Sequence, residues 1–403
     1  MTATDAMLGP RMDRIQRIAL GIGITFLVAT AIGLFVDPGQ FFRSYLFAYL
    51  YTLGLSMGCL GILLMHHTVG GKWGVVTRRL LESGTRTLPL MAILLIPILF
   101  GMTSLYLWAR PELAEHDDAI KWKSGYLNVP FFIIRMVIYF ALWMLYARIL
   151  NRKSLEQDRT GDPALMVRMR QISAPGLVVF ALSGTFAFFD LIMSLEPHWF
   201  STIYGAMFLI GQMLETFAFI IAAVVILSRR PPLSEILTVR HFHDLGNLML
   251  AFTILWAYLS FSQFLIIWSG NLPEEIPWYI RRQSGGWGYI AVLLIVFHFF
   301  APFLILLNRF VKRSPALLYK VAIGMIVIRL VDVYWVVEPA FYQDEFPLHK
   351  QVFQVHWLDL AAPLGLVGIW IAFFIWQLKR YPIVPVGDPR LIGEPKQMVS
   401  GLQ

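Results

Sequence analysis

Trp287-Gly-Tyr-Ile-Ala-Val-Leu-Leu-Ile-Val-Phe-His298-Phe-Phe-Ala-Pro302-Phe-Leu-Ile-Leu-Leu-Asn308 is the stretch that decides the fold class. A bilayer core about 30 Å thick is crossed by about 20 helical residues, and this run supplies that length with His298 as its one side chain able to carry charge near neutral pH. It lacks the alternation of a barrel strand, and hydrocarbon forces every backbone group to be bonded within its own segment, so the run reads as a transmembrane helix. Similar runs recur at 18–36, 44–65, 87–109, 130–150, 174–195, 203–228, 245–269, 316–337 and 357–378. The expectation is an all-α polytopic membrane protein of ten helices, with Pro97 and Pro302 kinking the third and eighth.

Composition agrees. Of 403 residues, 58% are hydrophobic and only 14% charged, against about 25% charged in a soluble domain. The net charge of +8 is what basic loops on one side of a membrane produce, so no nucleic-acid partner is expected. The single cysteine, Cys59, can form no intrachain disulfide and supplies no cysteine-rich metal motif; it reads as packing. The polar segment 1–17 precedes a full-length apolar run with no small-residue cleavage site after it, so the first helix is expected to be retained. Three regions follow: a cytoplasmic N-terminal segment (1–17), a ten-helix transmembrane domain (18–378) and a cytoplasmic C-terminal tail (379–403), which reads as extended.

Lys and Arg gather at the N-terminus, in connections 2–3, 4–5, 6–7 and 8–9, and at the C-terminus, which places that side in the cytoplasm. Arg148, Arg152, Lys153, Arg159, Arg168 and Arg170 weigh most. The opposite connections carry Glu112, Glu115, Asp117, Asp118, Glu196, Glu274, Glu275, Asp344 and Glu345, suited to docking an extracytoplasmic partner.

An ionisable group within a span costs about 2.5–3.5 kcal/mol on insertion scales, so each one marks a partner or a task. Helix nine holds Arg329 and Asp332 on one face; helix six holds Glu215, with Gln212 a turn earlier; helix eight holds His298. Arg135 lies near the outer end of helix four, Asp190 near that of helix five, and Asp359 opens helix ten after His356. On the cytoplasmic side, His66 and His67 close helix two, and His241, His243 and Asp244 open helix seven, where they could gather protons at the surface. The sharper reading is one interior proton path through Asp190, Glu215, His298, Arg329 and Asp332, fed by His66, His67, His241 and Asp244. The structural alternatives are a self-neutralising Arg329–Asp332 pair, a packed neutral His298 and ordinary interfacial histidines.

Some chemistry is excluded. Only His298 is deep enough to ligate a haem b spanning the bundle, no C-x-x-C-H motif occurs, and no G-x-x-x-x-G-K-[ST] loop is present for ATP. The chain by itself shows no means of carrying electrons, and no metal or catalytic site is expected in it.

Two segments are chemically dense: Asp190-Leu-Ile-Met-Ser-Leu-Glu196-Pro-His198-Trp199-Phe-Ser-Thr-Ile-Tyr-Gly205, and Trp256-Ala-Tyr-Leu-Ser-Phe-Ser-Gln-Phe-Leu-Ile-Ile-Trp-Ser-Gly-Asn-Leu-Pro-Glu-Glu-Ile-Pro-Trp-Tyr-Ile-Arg-Arg282. Both resemble the F subunit of bacterial alternative complex III, a quinol:electron-acceptor oxidoreductase, and the likeness extends over most of the chain except its two ends. The resemblance implies a polysulfide-reductase-like (NrfD-like) membrane subunit: two four-helix bundles, helices two to five and six to nine, with helices one and ten outside them. An offset of four helices preserves direction across the membrane, making the bundles parallel repeats, although no internal sequence similarity between them is evident.

It also implies partners: a homologous NrfD-like membrane subunit, extracytoplasmic iron–sulfur and haem c subunits, and membrane lipid, in the bacterial inner membrane. Haem c and clusters would reside in those partners, and the homologous C subunit is the better candidate for oxidising quinol; whether quinol also binds this chain stays open. The implied role is support of quinol oxidation in a complex, with transmembrane proton translocation as its active form, and not a self-contained enzyme. The outer-face motif Glu196, His198 and Trp199, with Asp190, would lie where a quinol's protons leave, or would be a turn held by local hydrogen bonds. A secondary transporter with a mid-membrane coupling site, and a purely structural anchor, are the competing readings.

Overall fold

Helix is the answer this chain gives to the demand that backbone groups in hydrocarbon be bonded internally; no strand occurs among the described residues. The computed structural model describes residues 3–229, 231–342 and 353–391. Asp344 and Glu345, and the tail beyond residue 391, lie outside them.

Ten long helices run in order: α1 (Met12–Val36, the apolar part of a helix that begins at Ala3), α2 (Pro38–Val69), α3 (Trp73–Phe100), α4 (Val129–Thr160), α5 (Ala164–Leu191), α6 (Tyr204–Leu227), α7 (Val239–Gly270), α8 (Trp287–Leu307), α9 (Pro315–Val337) and α10 (Trp357–Leu378). Among the described residues, nine of them are long and apolar enough to cross a membrane. The tenth, α9, is 23 residues long, about 35 Å at 1.5 Å per residue. It falls outside that group because Lys320, Arg329 and Asp332 give it three charged residues in every membrane-length stretch. The chain is therefore an all-α polytopic membrane protein. Its outer surface fits a lipid solvent: Phe35, Phe100, Val137, Phe261 and Phe310 are all exposed, a density of apolar surface no soluble monomer carries. Trp122, Trp268 and Tyr289 stand exposed near the acidic ends of their helices, as aromatic residues do at an interface.

The packing closes two rings. In the first, α2 packs on α3, α3 on α4, α4 on α5 and α5 back on α2; in the second, α6, α7, α8 and α9 close in the same order. The rings join where α2 meets α6 and α9, and where α5 meets α6. Helices α1 and α10 pair with each other and lean on α2, so α10 is only half peripheral; Trp370 is buried, donating to Ser56 Oγ (2.8 Å) and Thr87 Oγ1 (2.9 Å). The α1/α10 contact depends on missing side chains, since a Cβ on Gly368 would come within 2.6 Å of Gly23 Cα. This is the small-residue approach that substitutes for a hydrophobic driving force in lipid.

The rings also repeat in sequence at matched places, which the reading by hydropathy did not reveal. Near its start α3 carries Arg78-x3-Glu82-x-Gly84, and α7 carries Arg240-x3-Asp244-x-Gly246. The C-terminal end of α5 leads into Asp190-x5-Glu196-Pro197, and that of α9 into Asp332-x5-Glu338-Pro339.

Several expected boundaries are corrected. The third helix begins at Trp73, not residue 87, and every residue of Trp73–Thr85 is buried. Hydropathy hides this stretch because Arg78, Arg79 and Glu82 lie in it, and they neutralise one another. Helices α4 and α5 also extend by more than two turns at the basic end and α7 by more than one, and the polar N-terminal segment is largely helix. Pro97 does interrupt α3, whose second half breaks into Leu88–Leu94 and Ile96–Phe100 and is followed by a short helix, Met102–Leu105. Before Pro302, α8 passes through a π-helical turn, Ile295–Phe300, a form common at functional sites. The tail expected to be extended is docked as far as it is described: Asp388 is fully buried against Arg78 at 3.3 Å, and Gly387 N donates to Asp158 Oδ1.

Candidate functional site

The interior of the second bundle, where it abuts α2, collects four of the residues singled out from sequence. Glu215 points from the middle of α6 toward Gly54 of α2, whose absent side chain makes the room: a Cβ there would lie 2.7 Å from Glu215 Oε2. The residue is fully buried and neither carboxyl oxygen has a hydrogen-bond partner. A turn earlier, Gln212 donates to Leu50 O at 3.3 Å, and a residue later Thr216 donates to Gly54 O at 3.2 Å, fixing α6 against α2.

From α9, Arg329 occupies the space left by Gly211 of α6, donates to Phe208 O and pairs with Asp332 on its own helix. Its guanidinium also lies 4.7 Å from the centre of the Phe208 ring. His298 comes in from the π-helical turn of α8, its Nδ1 3.6 Å from Asp332 Oδ2 and its ring 3.9 Å from that of Trp256. That residue and Pro302 are linked by backbone chemistry: Pro302 has no N–H to offer the carbonyl four residues earlier, which belongs to His298. Glu215, Arg329, Asp332 and His298 thus form one buried cluster of two acids, one fixed cation and one imidazole, with Glu215 within electrostatic reach of both Arg329 and Asp332.

Asp190 is not among them. It lies in the first bundle, where Arg135 of α4 holds it with two bonds of 2.9 and 2.8 Å and Tyr139 adds a third at 3.2 Å. Such a bidentate pair fixes geometry as well as charge. The outer-face motif is also divided among separate partners. Glu196 is buried between Arg281 and Arg282, each at 2.9 Å, while the exposed His198 meets Asp117 at 2.6 Å. Trp199 stacks on Trp278 with centroids 5.2 Å apart and donates to Glu275 O. Each of these side-chain contacts reaches a segment 76 to 86 residues away in sequence, so the turn is tied to other parts of the chain and not held by its own hydrogen bonds alone. Burial opposes ionisation of Asp117, but the Ile120 and Ala119 N–H groups and His198 outweigh it and hold the carboxyl below its ordinary range.

The basic-end histidines are placed as expected but apart from the cluster. His66 is buried against Trp73, at 5.1 Å, and His67. It lies three turns along α2 from Gly54, roughly 18 Å. His241 caps α7 through Thr238, and Asp244 sits 3.9 Å from His243 Nδ1.

Two polar groupings were not foreseen. At the basic end, Arg78 and Arg79 share Glu82 (3.1 and 2.5 Å), Arg79 also pairs with Asp158, and Asp388 closes the network from the tail. At the acidic end, Glu338 follows α9 and Asp359 opens α10. Asp359 accepts from Ser44 (2.5 Å), Gln40 (3.1 Å) and Tyr334 (3.0 Å); Glu338 accepts from Tyr342 (3.2 Å), and its second oxygen is buried without a partner. Burial, and then the neighbouring Asp359, raise the Glu338 carboxyl to about 7. The signal for Glu338 was present in sequence: it is the repeat mate of Glu196, with which it shares the D-x5-E-P pattern, but no arginine pair neutralises it among the described residues.

Compared with known proteins, the chain matches no family model, and no curated protein matches it.

Proposed function

We propose that the chain is a membrane subunit of a multisubunit quinol-oxidising complex, similar to the F subunit of alternative complex III, and that it carries protons through its second bundle. The observation that carries the reading is the Glu215–Arg329–Asp332–His298 cluster. Buried ionisable groups in a membrane are expensive, and four of them converging from α6, α8 and α9 is more than neutralisation of one Arg329–Asp332 pair requires. Each carboxylate and the imidazole can bind and release a proton, while Arg329 supplies the fixed charge against which that proton moves. Glu215 has no hydrogen bond holding it in one state. Toward the acidic end, Asp359 and Glu338 extend the line of exchangeable groups.

In this reading the basic end, with both termini, faces the cytoplasm of a bacterial inner membrane. Electron carriers and the quinol-oxidising step belong to a homologous NrfD-like subunit and to extracytoplasmic iron–sulfur and haem c subunits. The resemblance of the 190–205 and 256–282 segments supports that assignment.

The experiment is to reconstitute the assembled complex and follow proton release and quinol turnover with Glu215→Gln and Asp332→Asn. General acid–base steps contribute about 10²–10⁴-fold, so a loss of tenfold or more in proton movement is expected. If both variants moved protons and turned over normally, the path would lie elsewhere. The transporter reading separates cleanly, since it requires coupled transport by this chain reconstituted alone.

A further inference from the structure

At the basic end, α3, α4 and the end of α10 enclose a groove of about 1230 Å³ that the proton cluster does not use. Six cations line it: Arg86 from α3, Arg148, Arg152, Lys153 and Arg159 from α4, and Arg380 just after α10. Glu156 is the one acid in the lining, and it is committed to Lys153 at 3.0 Å. Arg148, Arg152, Arg159 and Arg380 are exposed and have no ion-pair partner among the described residues. Deeper in, Arg86 lies 3.9 Å from the Tyr381 ring and 3.7 Å from Glu82, with both terminal nitrogens lacking a hydrogen bond. The charge of the four exposed arginines is therefore unspent.

The groove is not uniformly polar. Along α4 it runs from Thr160 and Arg159, at the polar tip, down to Ala147 and Met144 within the span, with Pro89 opposite on α3. Fifteen residues of helix separate Arg159 from Met144, roughly 22 Å, so the site is cationic at headgroup level and apolar at acyl-chain level. A soluble anion would use only the upper half. A phospholipid uses both, and basic pockets between helices at this depth suit anionic headgroups. Four cations without an acid partner among the described residues, three on α4 and Arg380 just after α10, exceed what one phosphate engages.

We propose that this groove binds an anionic phospholipid carrying two phosphates, of the cardiolipin type, with Arg148, Arg152 and Arg380 on the phosphates and Met144, Ala147 and Pro89 against the acyl chains. The lipid would tie α10 to α4 beside the docked tail. The inference rests on the membrane-embedded fold alone and stands whether or not the chain belongs to a quinol-oxidising complex.

The test uses the full chain purified in mild detergent, stripped of lipid, and titrated with tetraoleoyl cardiolipin, phosphatidylcholine or inorganic phosphate. Native mass spectrometry and thermal unfolding are the readouts. About one cardiolipin per chain is expected to bind and to raise the unfolding temperature, while phosphatidylcholine and inorganic phosphate do neither. Arg148→Gln/Arg152→Gln/Arg380→Gln should weaken cardiolipin tenfold or more, whereas Arg168→Gln/Arg170→Gln/Arg240→Gln, basic residues at the same end but outside the groove, should not. Because the triple variant removes three charges at once, Arg152→Glu, at an exposed position, gives an independent reading and should show the same loss. Equal weakening by both triple variants would mean a diffuse surface charge, competition by inorganic phosphate would mean a soluble-anion site, and unchanged affinity in Arg152→Glu would place the lipid elsewhere. Any of these overturns the proposal.

Discussion

At Gly54 one missing methyl group decides whether Glu215 fits. Gly54→Ala would put a carbon 2.7 Å from Glu215 Oε2 in an interior that cannot yield freely, and overpacking of this sort costs about 1–3 kcal/mol; a lower unfolding temperature checks it. Glu338 makes a prediction with a sign. Its folded carboxyl titrates near 7 against an ordinary value of 4.5, so between those values the folded state holds a proton the unfolded chain has lost, and stability falls as pH rises through the window. The full effect is on the order of 3 kcal/mol at about 1.4 kcal/mol per unit. Unfolding temperatures measured from pH 4.5 to 8 should decline in the wild type and flatten in Glu338→Gln. At this scale the sequence was informative about identity and silent about pairing. Glu215, His298, Arg329 and Asp332 stand out because each is ionisable within an apolar run, but nothing local says that Asp190 belongs to Arg135, 55 residues away. Nor does anything local say that Asp388 reaches Arg78 across 310 residues.

Among the elements, α3 is the instructive one. Its first half reads as a polar loop because Arg78, Arg79 and Glu82 raise its apparent cost, yet it is the most completely buried short segment in the fold. Hydropathy prices charges singly, whereas a network that neutralises itself can be taken inside. Removing one member leaves the others exposed to that cost, about 3–5 kcal/mol for a broken buried pair. Glu82→Gln is therefore expected to lower the yield and unfolding temperature of the folded chain far more than Glu156→Gln, whose pair with Lys153 is partly solvated. The α1/α10 pair gives a second expectation: Gly368→Leu should spread the helices and destabilise by about 1–3 kcal/mol, seen as increased proteolysis of the N-terminal helix. Helix α9 shows the converse of α3, since its length made it legible as a span although Lys320, Arg329 and Asp332 lower its hydropathy.

For the whole molecule, the count and order of helices followed from apolar runs alone, because lipid leaves few alternatives to a helix of about 20 residues. The two closed rings were expected only through the resemblance, and the packing of α2 through α9 has that arrangement. The D-x5-E-P and R-x3-acid-x-Gly echoes escaped notice because apolar helices resemble one another everywhere, so the informative positions are the few polar ones at helix ends. The repeat has diverged where it matters: Glu196 is held by two arginines, and Glu338 is left free to titrate. A chain with a charged interior, an acidic face opposite a basic one and no electron carrier evident in its sequence is proposed to work only with partners. The most direct measurement is purification of the tagged chain from its native membranes in a mild detergent, with the bound subunits identified and the visible spectrum recorded. The reading predicts co-purification with haem c and iron–sulfur proteins, a haem absorbance and quinol-oxidising activity. A stable, colourless protein recovered alone would contradict it.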